Sequence, residues 1–461
     1  MSILKTLRLP QSETVSIDLN WSGGDENVLT FLLGANGTGK SRVLRSVLNT
    51  SIELVSGEPE TKNVERVNFR CVPSKVLAIS ATTNDRFPAK SGFNEKNIGK
   101  FGADAYEYIG PRTSRNLISR RSGFEVFVRS VLRKKELSKV QADFINRLSN
   151  KTSVSTRIKV SIGLPPTSPG SRSKAPLELR ADSYVQSLLS SEFNGDFVGV
   201  SDYQKALRLR SFVNELSLRV GNSTRKRDLY TIFIDLREGL SVDASEGVDV
   251  DVVELGLRLG FLRIVDITFQ GSGRQRDRMA PDDFSAGQWG LFSSLATLSL
   301  SAEDGSLILI DEPETGLHPA WQREFIDDLI EALGGRRRCH VLLATHSSMI
   351  VGGSRFGSEV VVLRADNEKG NSMEFAQSPL GWSANDLLED VFELDSSRSP
   401  EIELLVSEAL DLISLGLDDG GERLKRVSDK LDVFLRTLPL EDELRTVIST
   451  VGRLARQNVE G

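Results

Sequence analysis

Gly34-Ala35-Asn36-Gly37-Thr38-Gly39-Lys40-Ser41 follows the apolar run Val28–Leu33 and precedes the helical spacing of Val43, Leu44, Val47 and Leu48. A strand with no polar face is buried on both sides, which places it inside a sheet covered by helices. The loop satisfies the G-x-x-x-x-G-K-[ST] pattern in the strand–loop–helix context that gives the pattern meaning. Its glycines let the backbone wrap around phosphates with N–H groups pointing inward, and the helix that follows adds the partial positive charge of its N-terminus. Gly34, Asn36, Gly37, Thr38 and Gly39 are therefore the expected cradle. Lys40 is expected to neutralise β- and γ-phosphate charge, and the Ser41 hydroxyl to sit on Mg²⁺. The ligand implied is ATP with Mg²⁺, and the fold class is α/β.

A second buried strand, 307–310, ends in Asp311 and Glu312. Parallel sheets place their ligands at such C-terminal strand ends. Asp311 is the expected Mg²⁺ partner, and Glu312 the group that orients or deprotonates the attacking water. Alone, a strand ending in Asp-Glu is commonplace; downstream of a phosphate loop it becomes a hydrolytic site.

The rest of the chain fits a split domain. A length of 461 residues implies two or three domains, and 39% hydrophobic content supports a real core. Alternation of Val15, Ile17, Leu19 and Trp21 reads as a half-buried strand leading to a turn at 22–25. Strands are expected at 76–79, 261–269, His340–Ala344 and 359–363. Between 110 and 258 the spacing of Phe124, Phe127, Val128 and Val131, then of Leu137, Val140, Phe144 and Leu148, reads as helices, joined by another at 203–220. Residues 163–176 read as a Pro-, Ser- and Gly-rich loop. The expected organisation is an ATPase head at 1–109 and 259–382, a largely helical insertion at 110–258, and a helical C-terminal region at 383–461. Three apolar stripes mark that last region: Leu404, Leu405, Leu412 and Ile413; Leu424, Val427, Leu431 and Phe434; Leu444, Val447, Ile448 and Val451. No heptad run long enough for a coiled-coil arm is present.

Composition narrows the setting. No apolar run approaches the roughly 20 residues that span a bilayer. Residues 1–10 lack the apolar centre of a signal peptide. Cys71 and Cys339 form neither a disulfide framework nor a Cys-x-x-Cys pair, so a reducing, cytoplasmic location with no membrane association is expected. The net charge of −6 argues against coating nucleic acid wholesale. His318, His340 and His346 are not spaced as a zinc site. Asp249-Val250-Asp251 reads as part of a solvated acidic loop with Asp243 and Glu246.

Phe284-Ser285-Ala286-Gly287-Gln288 opens an apolar helix shortly before the acidic strand. It resembles the signature of ABC-type ATPases, with Phe for Leu and Ala for the first Gly. The resemblance implies an ABC-type P-loop head working as a homodimer or higher homo-oligomer. Ser285, Gly287 and Gln288 of one copy would cap the γ-phosphate held by another; Ser285 also suits a plain helix cap. Glu314-Thr315-Gly316-Leu317-His318-Pro319 resembles the D-loop of that superfamily, and His346 in Ala344-Thr345-His346-Ser347 its switch histidine, which touches the γ-phosphate. A Q-loop glutamine after residues 76–80 is missing, with Asn84 or Asp85 as stand-ins.

The Asp311-Glu312-Pro313-Glu314 run through His318-Pro319 resembles the OLD-type branch rather than transporter subunits. The 380–388 segment, with Ser397-Arg398-Ser399-Pro400 and the helices after it, resembles ATPase subunits of bacterial anti-phage systems of the Septu and PARIS types. Whole OLD nucleases carry a TOPRIM domain after the ATPase. Here no Asp-x-Asp follows His346, so the expectation is an ATPase beside a separate effector, a nuclease or toxin, with DNA or a phage-encoded trigger as a further partner. The alternatives are a DNA-repair or chromosome-structure ATPase head, kept open by basic clusters such as Arg133-Lys134-Lys135, and a transporter energy subunit.

Overall fold

The computed structural model describes residues 4–7, 26–56, 67–83, 85, 87–88, 106–112, 121–165, 182, 186, 200–222, 230–245, 248–271, 278–354, 358–364, 372–376, 381, 387, 398–414 and 421–457. The strand expected near 15–21 and the turn after it lie outside these residues, as do most of the loop expected at 163–176 and Asn84. The chain divides into two compact units, Met1–Trp382 and Ser383–Gly461.

The first unit is built on a seven-stranded sheet, with a separate two-stranded antiparallel pair, β1 (Leu4–Leu7) and β3 (Val67–Phe69). In chain order its strands are β2 (Val28–Leu33), β4 (Val76–Ser80), β5 (Tyr106–Ile109), β11 (Leu307–Asp311), β12 (His340–Ala344), β13 (Glu359–Arg364) and β14 (Ser372–Ala376). Their spatial order is β14-β13-β2-β12-β11-β4-β5, parallel throughout except for β14 against β13. Burial of every residue in β4, β11 and β12 explains why those strands carry no alternation. Register aligns the strand ends: Asp311 pairs with Ala344 on one side and Ser80 on the other, and Ala344 pairs with Leu32. The C-termini of β2, β4, β11 and β12 thus form one edge.

Helices α1 (Lys40–Ser56), α2 (Arg121–Arg133), α3 (Lys139–Thr152), α4 (Val200–Asn222), α5 (Val250–Leu259), α6 (Ala286–Ser301) and α7 (Pro319–Leu333) complete the layers. Val43, Leu44, Val47 and Leu48 of α1 pack in one core cluster with Leu32, Val76, Leu307 and Leu342. Helix α6 is apolar on every side and almost wholly buried, as a helix surrounded by protein must be. Helix α3 is started by a Ser138–Gln141 capping box and tied to α7 by ion pairs of Lys151 with Glu324 (2.6 Å) and Asp328 (2.7 Å).

A largely helical insertion was expected at 110–258, and that expectation omits a second sheet. Strands β6 (Arg157–Gly163), β7 (Tyr230–Asp235) and β8 (Ser241–Ala244) lie within it. They join β9 (Arg263–Gln270) and β10 (Arg278–Met279) in an antiparallel sheet ordered β10-β9-β6-β7-β8. The physical reason is visible in β6: Ile158, Val160 and Ile162 are buried while Arg157, Lys159 and Ser161 are not, the period-two pattern of a sheet with one covered face. The expected strand at 261–269 therefore pairs with insertion strands across the boundary drawn at 258. Asp249, placed in an acidic loop, is the N-cap of α5, its carboxylate accepting from Asp251 and Val252 N–H.

The second unit packs α9 (Pro400–Ser414), α10 (Gly421–Phe434) and α11 (Leu444–Gln457) around Leu405, Ala409, Leu424, Val427, Leu431, Leu444, Ile448 and Val451. Leu404 and Val447, expected on the inner stripes, are exposed. A short helix α8 (Ser348–Gly352) follows the switch segment of the first unit.

Candidate ATP site at the edge of the parallel sheet

Between β2 and α1 the chain turns through three left-handed glycines, Gly34 (φ 143°), Gly37 (φ 86°) and Gly39 (φ 102°). At Gly34 the requirement is double. A Cβ there would lie 2.3 Å from the Leu363 carbonyl oxygen, so only hydrogen fits. Thr38 is buried and its hydroxyl donates to the Ala35 carbonyl at 2.9 Å, while Asn36 is exposed. The first N–H groups of α1 open onto this loop, where an anion can satisfy them.

Lys40 is buried, and its ammonium donates to the carbonyls of Gly34 (2.8 Å) and Ala35 (3.1 Å) and to Nδ1 of His346 (3.3 Å). Burial draws its pKa down to about 8, against the opposing charges of Glu312, Asp311 and Glu314. An ammonium can only donate, so Nδ1 accepts and the ring proton lies on Nε2. Nε2 then donates to Glu312 Oε1 at 3.2 Å. Lys40, His346 and Glu312 form one chain of hydrogen bonds.

Ser41 donates to Asp311 Oδ1 at 3.1 Å. Burial pushes the Asp311 carboxyl up to about 6, with the Ser41 bond pulling the other way and the charge of Glu312 adding to the rise. Glu312 shifts in the opposite direction: the bond from His346 first, then the charge of Lys40, hold it below the usual range despite partial burial. The two adjacent carboxyls thus differ, Glu312 being the readily ionised one. Glu312 sits at φ 49°, a left-handed conformation uncommon for a side-chain-bearing residue, while its N–H donates to Ala344 at 2.9 Å. That kink turns its side chain across β12 toward His346. Ser41 and Asp311 suit Mg²⁺, a hard cation that takes one or two protein oxygens and completes its shell with phosphate and water.

Phe284, one of the two residues that depart from the signature, is an anchor: it is buried, packs edge-on against Phe269 at 5.1 Å and lies tilted against Phe124 at 6.1 Å. Ser285 is the exposed N-cap of α6; it accepts from Gln288 N–H at 3.2 Å and its own N–H donates to Gln288 Oε1 at 2.9 Å. Gly287 is forced by contact, since a Cβ there would lie 2.3 Å from the carbonyl oxygen of Gly316. The structure thus brings Lys40, Ser41, Asp311, Glu312 and His346 together. Among the described residues no hydrogen bond or ion pair joins Ser285, Gly287 or Gln288 to them; these three open a helix packed on the Gly316 turn.

Two residues behave differently from expectation. Asp85, named as a stand-in for the Q-loop glutamine, is engaged by its own chain: its carboxylate accepts from Tyr108 (2.6 Å), the Phe87 N–H (3.0 Å) and Arg112, and its side chain is fully buried. Glu314 was quoted only as part of a motif, yet its Oε1 accepts the His346 N–H at 2.6 Å. No spacing rule points to that bond, because residues 32 apart meet only through the pairing of β11 with β12. His318 is the N-cap of α7 and accepts from Ala320 N–H at 3.2 Å. No helix among the described residues is long and apolar enough to cross a membrane.

The Septu protein PtuA of Bacillus thuringiensis is 30% identical over 156 residues, which is 32% of this chain and 37% of that protein. The chain therefore aligns with well under half of that relative's length. Among solved structures, UvrA2 from Deinococcus radiodurans matches with a TM-score of 0.28 and 13% identity over 79% of this chain and 35% of its own. An Smc head domain from Pyrococcus furiosus, bound to the C-terminal domain of ScpA, matches with a TM-score of 0.31 and 11% identity over 82% and 97%. At such scores neither likeness bears on function. A family model described as "AAA domain, putative AbiEii toxin, Type IV TA system" matches residues 29–352, from β2 through α8. The chain belongs to this family of P-loop ATPases.

Proposed function

We propose that this protein is the ATP-hydrolysing subunit of a bacterial anti-phage system and controls a separate effector, a nuclease or toxin. The observation that carries the reading is the division of the site. The hydrolytic residues are assembled within the chain, whereas Ser285 is exposed at a helix start packed on the Gly316 turn. Such a half-site is completed by a second copy, so ATP binding and association become one event. The partial likeness to PtuA supports the defence setting.

In the mechanism, loop N–H groups and Lys40 receive the phosphates, Lys40 exchanging its carbonyl partners for phosphate oxygens. Ser41 and Asp311 would hold Mg²⁺, which when bound offsets phosphate charge. Glu312, kept ionised by His346, takes the proton of the attacking water. His346 holds Glu312 and faces the γ-phosphate. Ser285, Gly287 and Gln288 of another copy close the site, with the α6 N-terminus directed at the transferred group. DNA or a phage-encoded molecule would act as the trigger.

The test is to express the chain alone and with its gene neighbour in cells challenged by phage. Protection should require both genes and vanish with Lys40→Ala. Protection by the chain alone would place an effector activity within it and overturn the gating reading.

A further inference from the structure

Glu314 lies in the turn between β11 and α7, where Thr315 N–H donates to the Glu312 carbonyl at 3.3 Å and Leu317 N–H to the Glu314 carbonyl at 2.9 Å. One face of that turn meets the signature, because Gly316 presses on Gly287. The other face meets the switch segment through two bridges. Glu314 Oε1 accepts the His346 N–H at 2.6 Å. Gln322 donates to the Leu317 carbonyl at 3.0 Å and accepts the Ser347 hydroxyl at 2.7 Å. His346 is thus gripped on its main chain by the turn and through its ring by Glu312.

The second oxygen of Glu314, Oε2, is buried without a hydrogen-bond partner among the described residues. A buried carboxylate oxygen left unpaired costs stability, so this carboxylate is poorly explained as a stabilising device. Its charge also falls on Lys40, beside those of Asp311 and Glu312.

We propose that Glu314 is a positioning residue for hydrolysis. By accepting the His346 N–H it fixes the histidine to the turn that carries Gly316, on which this chain's own signature helix packs, so that docking of that signature on a second copy bears on the ring that orients Glu312. This rests on the reading of Glu312 as the base. It assigns to Glu314 the mechanical link between this chain's hydrolytic residues and the signature it presents to a second copy, through hydrogen-bond acceptance rather than through charge.

Three variants separate these roles. Glu314→Gln keeps an acceptor at the same reach and loses the charge. Glu314→Asp keeps the charge but is too short to reach the His346 N–H. Glu314→Ala loses both. The expected result is a fall in kcat of about 10- to 100-fold for Ala and Asp, the scale of a misplaced catalytic group, with KM for ATP within twofold of wild type. Gln should retain most of the wild-type kcat. A Gln variant as impaired as Ala, an Asp variant as active as wild type, or a change confined to KM would each overturn the proposal. If Ala does not fold, the contrast between Gln and Asp decides alone. Wild-type protein without ATP turnover would instead overturn the site reading beneath it.

Discussion

The loop half of the ATP site and the signature half are built on opposite terms. In the loop half every acting group already has a partner in its own chain: Lys40 has three acceptors, Ser41 holds Asp311, and His346 holds Glu312. In the signature half Ser285 and Gln288 bond each other at an exposed helix start, with only Gly287 locked from behind. On the reading proposed above, the first half is preorganised for chemistry and the second for docking, and splitting them would make turnover report on association.

The largest expected effect tests the preformed half. Glu312→Gln should leave ATP binding intact and lower turnover by about 10²–10⁴-fold, because an amide cannot accept the water's proton. Steady-state phosphate release beside equilibrium nucleotide binding measures both, and near-normal hydrolysis would remove Glu312 from the role of base. Next comes the docking half. Ser285→Arg should bind ATP as single chains yet fail in turnover and in ATP-dependent association, since it sets a long cation where a second copy's γ-phosphate would pack. Mixed with Lys40→Ala, it should recover at most one composite site per dimer. Normal hydrolysis by monomeric Ser285→Arg would dissolve the comparison altogether.

The two halves also differed in how far sequence revealed them. The loop and the acidic strand were legible because chemistry dictates residue type at fixed spacing: Gly34 and Gly39 must lack side chains, and Lys40, Ser41 and Asp311 must carry particular ones. Five strands of the large sheet, β2, β4, β11, β12 and β13, followed from apolar runs, whereas β5 and β14 at its two edges did not. What escaped was whatever depends on strands distant in sequence coming together. The Glu314–His346 bond is one case. The antiparallel sheet is another, although the alternation of Ile158, Val160 and Ile162 in β6 was there to be read. Asp85 escaped for a third reason, since its partner Arg112 is 27 residues away.

A smaller effect probes the sheet beneath the preformed half. β12 carries His346 just beyond its C-terminal end and His340 at its start. His340 is fully buried, within hydrogen-bond reach of the Thr30 hydroxyl (3.0 Å), and burial draws its pKa from 6.5 down to about 3. Between those values the unfolded chain binds a proton that the folded chain refuses, so stability is full above 6.5 and falls as pH drops below it. From pH 8 to pH 5 this group alone should cost about 2 kcal/mol. Denaturant unfolding at the two pH values should show that loss in wild type and a smaller one in His340→Gln. Equal losses would mean that another group sets the acid sensitivity of the sheet.

The smallest expected effect on stability is also the sharpest on the docking half, because Ser285 has two possible duties. As a cap it accepts the Gln288 N–H, and replacing such a residue by Ala costs about 0.5–2 kcal/mol while Gly costs only a few tenths. As a docking group its hydroxyl would touch a second copy's nucleotide, a contact that Ala and Gly remove alike. The two substitutions therefore separate the duties. If Ser285 serves both, Ser285→Ala should melt lower than Ser285→Gly while the two lose turnover equally. If it is a cap alone, Ser285→Ala should lose stability and neither variant should lose turnover at a temperature where both remain folded. Thermal melting alongside ATP hydrolysis reads both axes on the same samples. Wild-type turnover in Ser285→Gly would confine the serine to its own helix and leave any docking contact to Gly287 and the open N–H groups of α6.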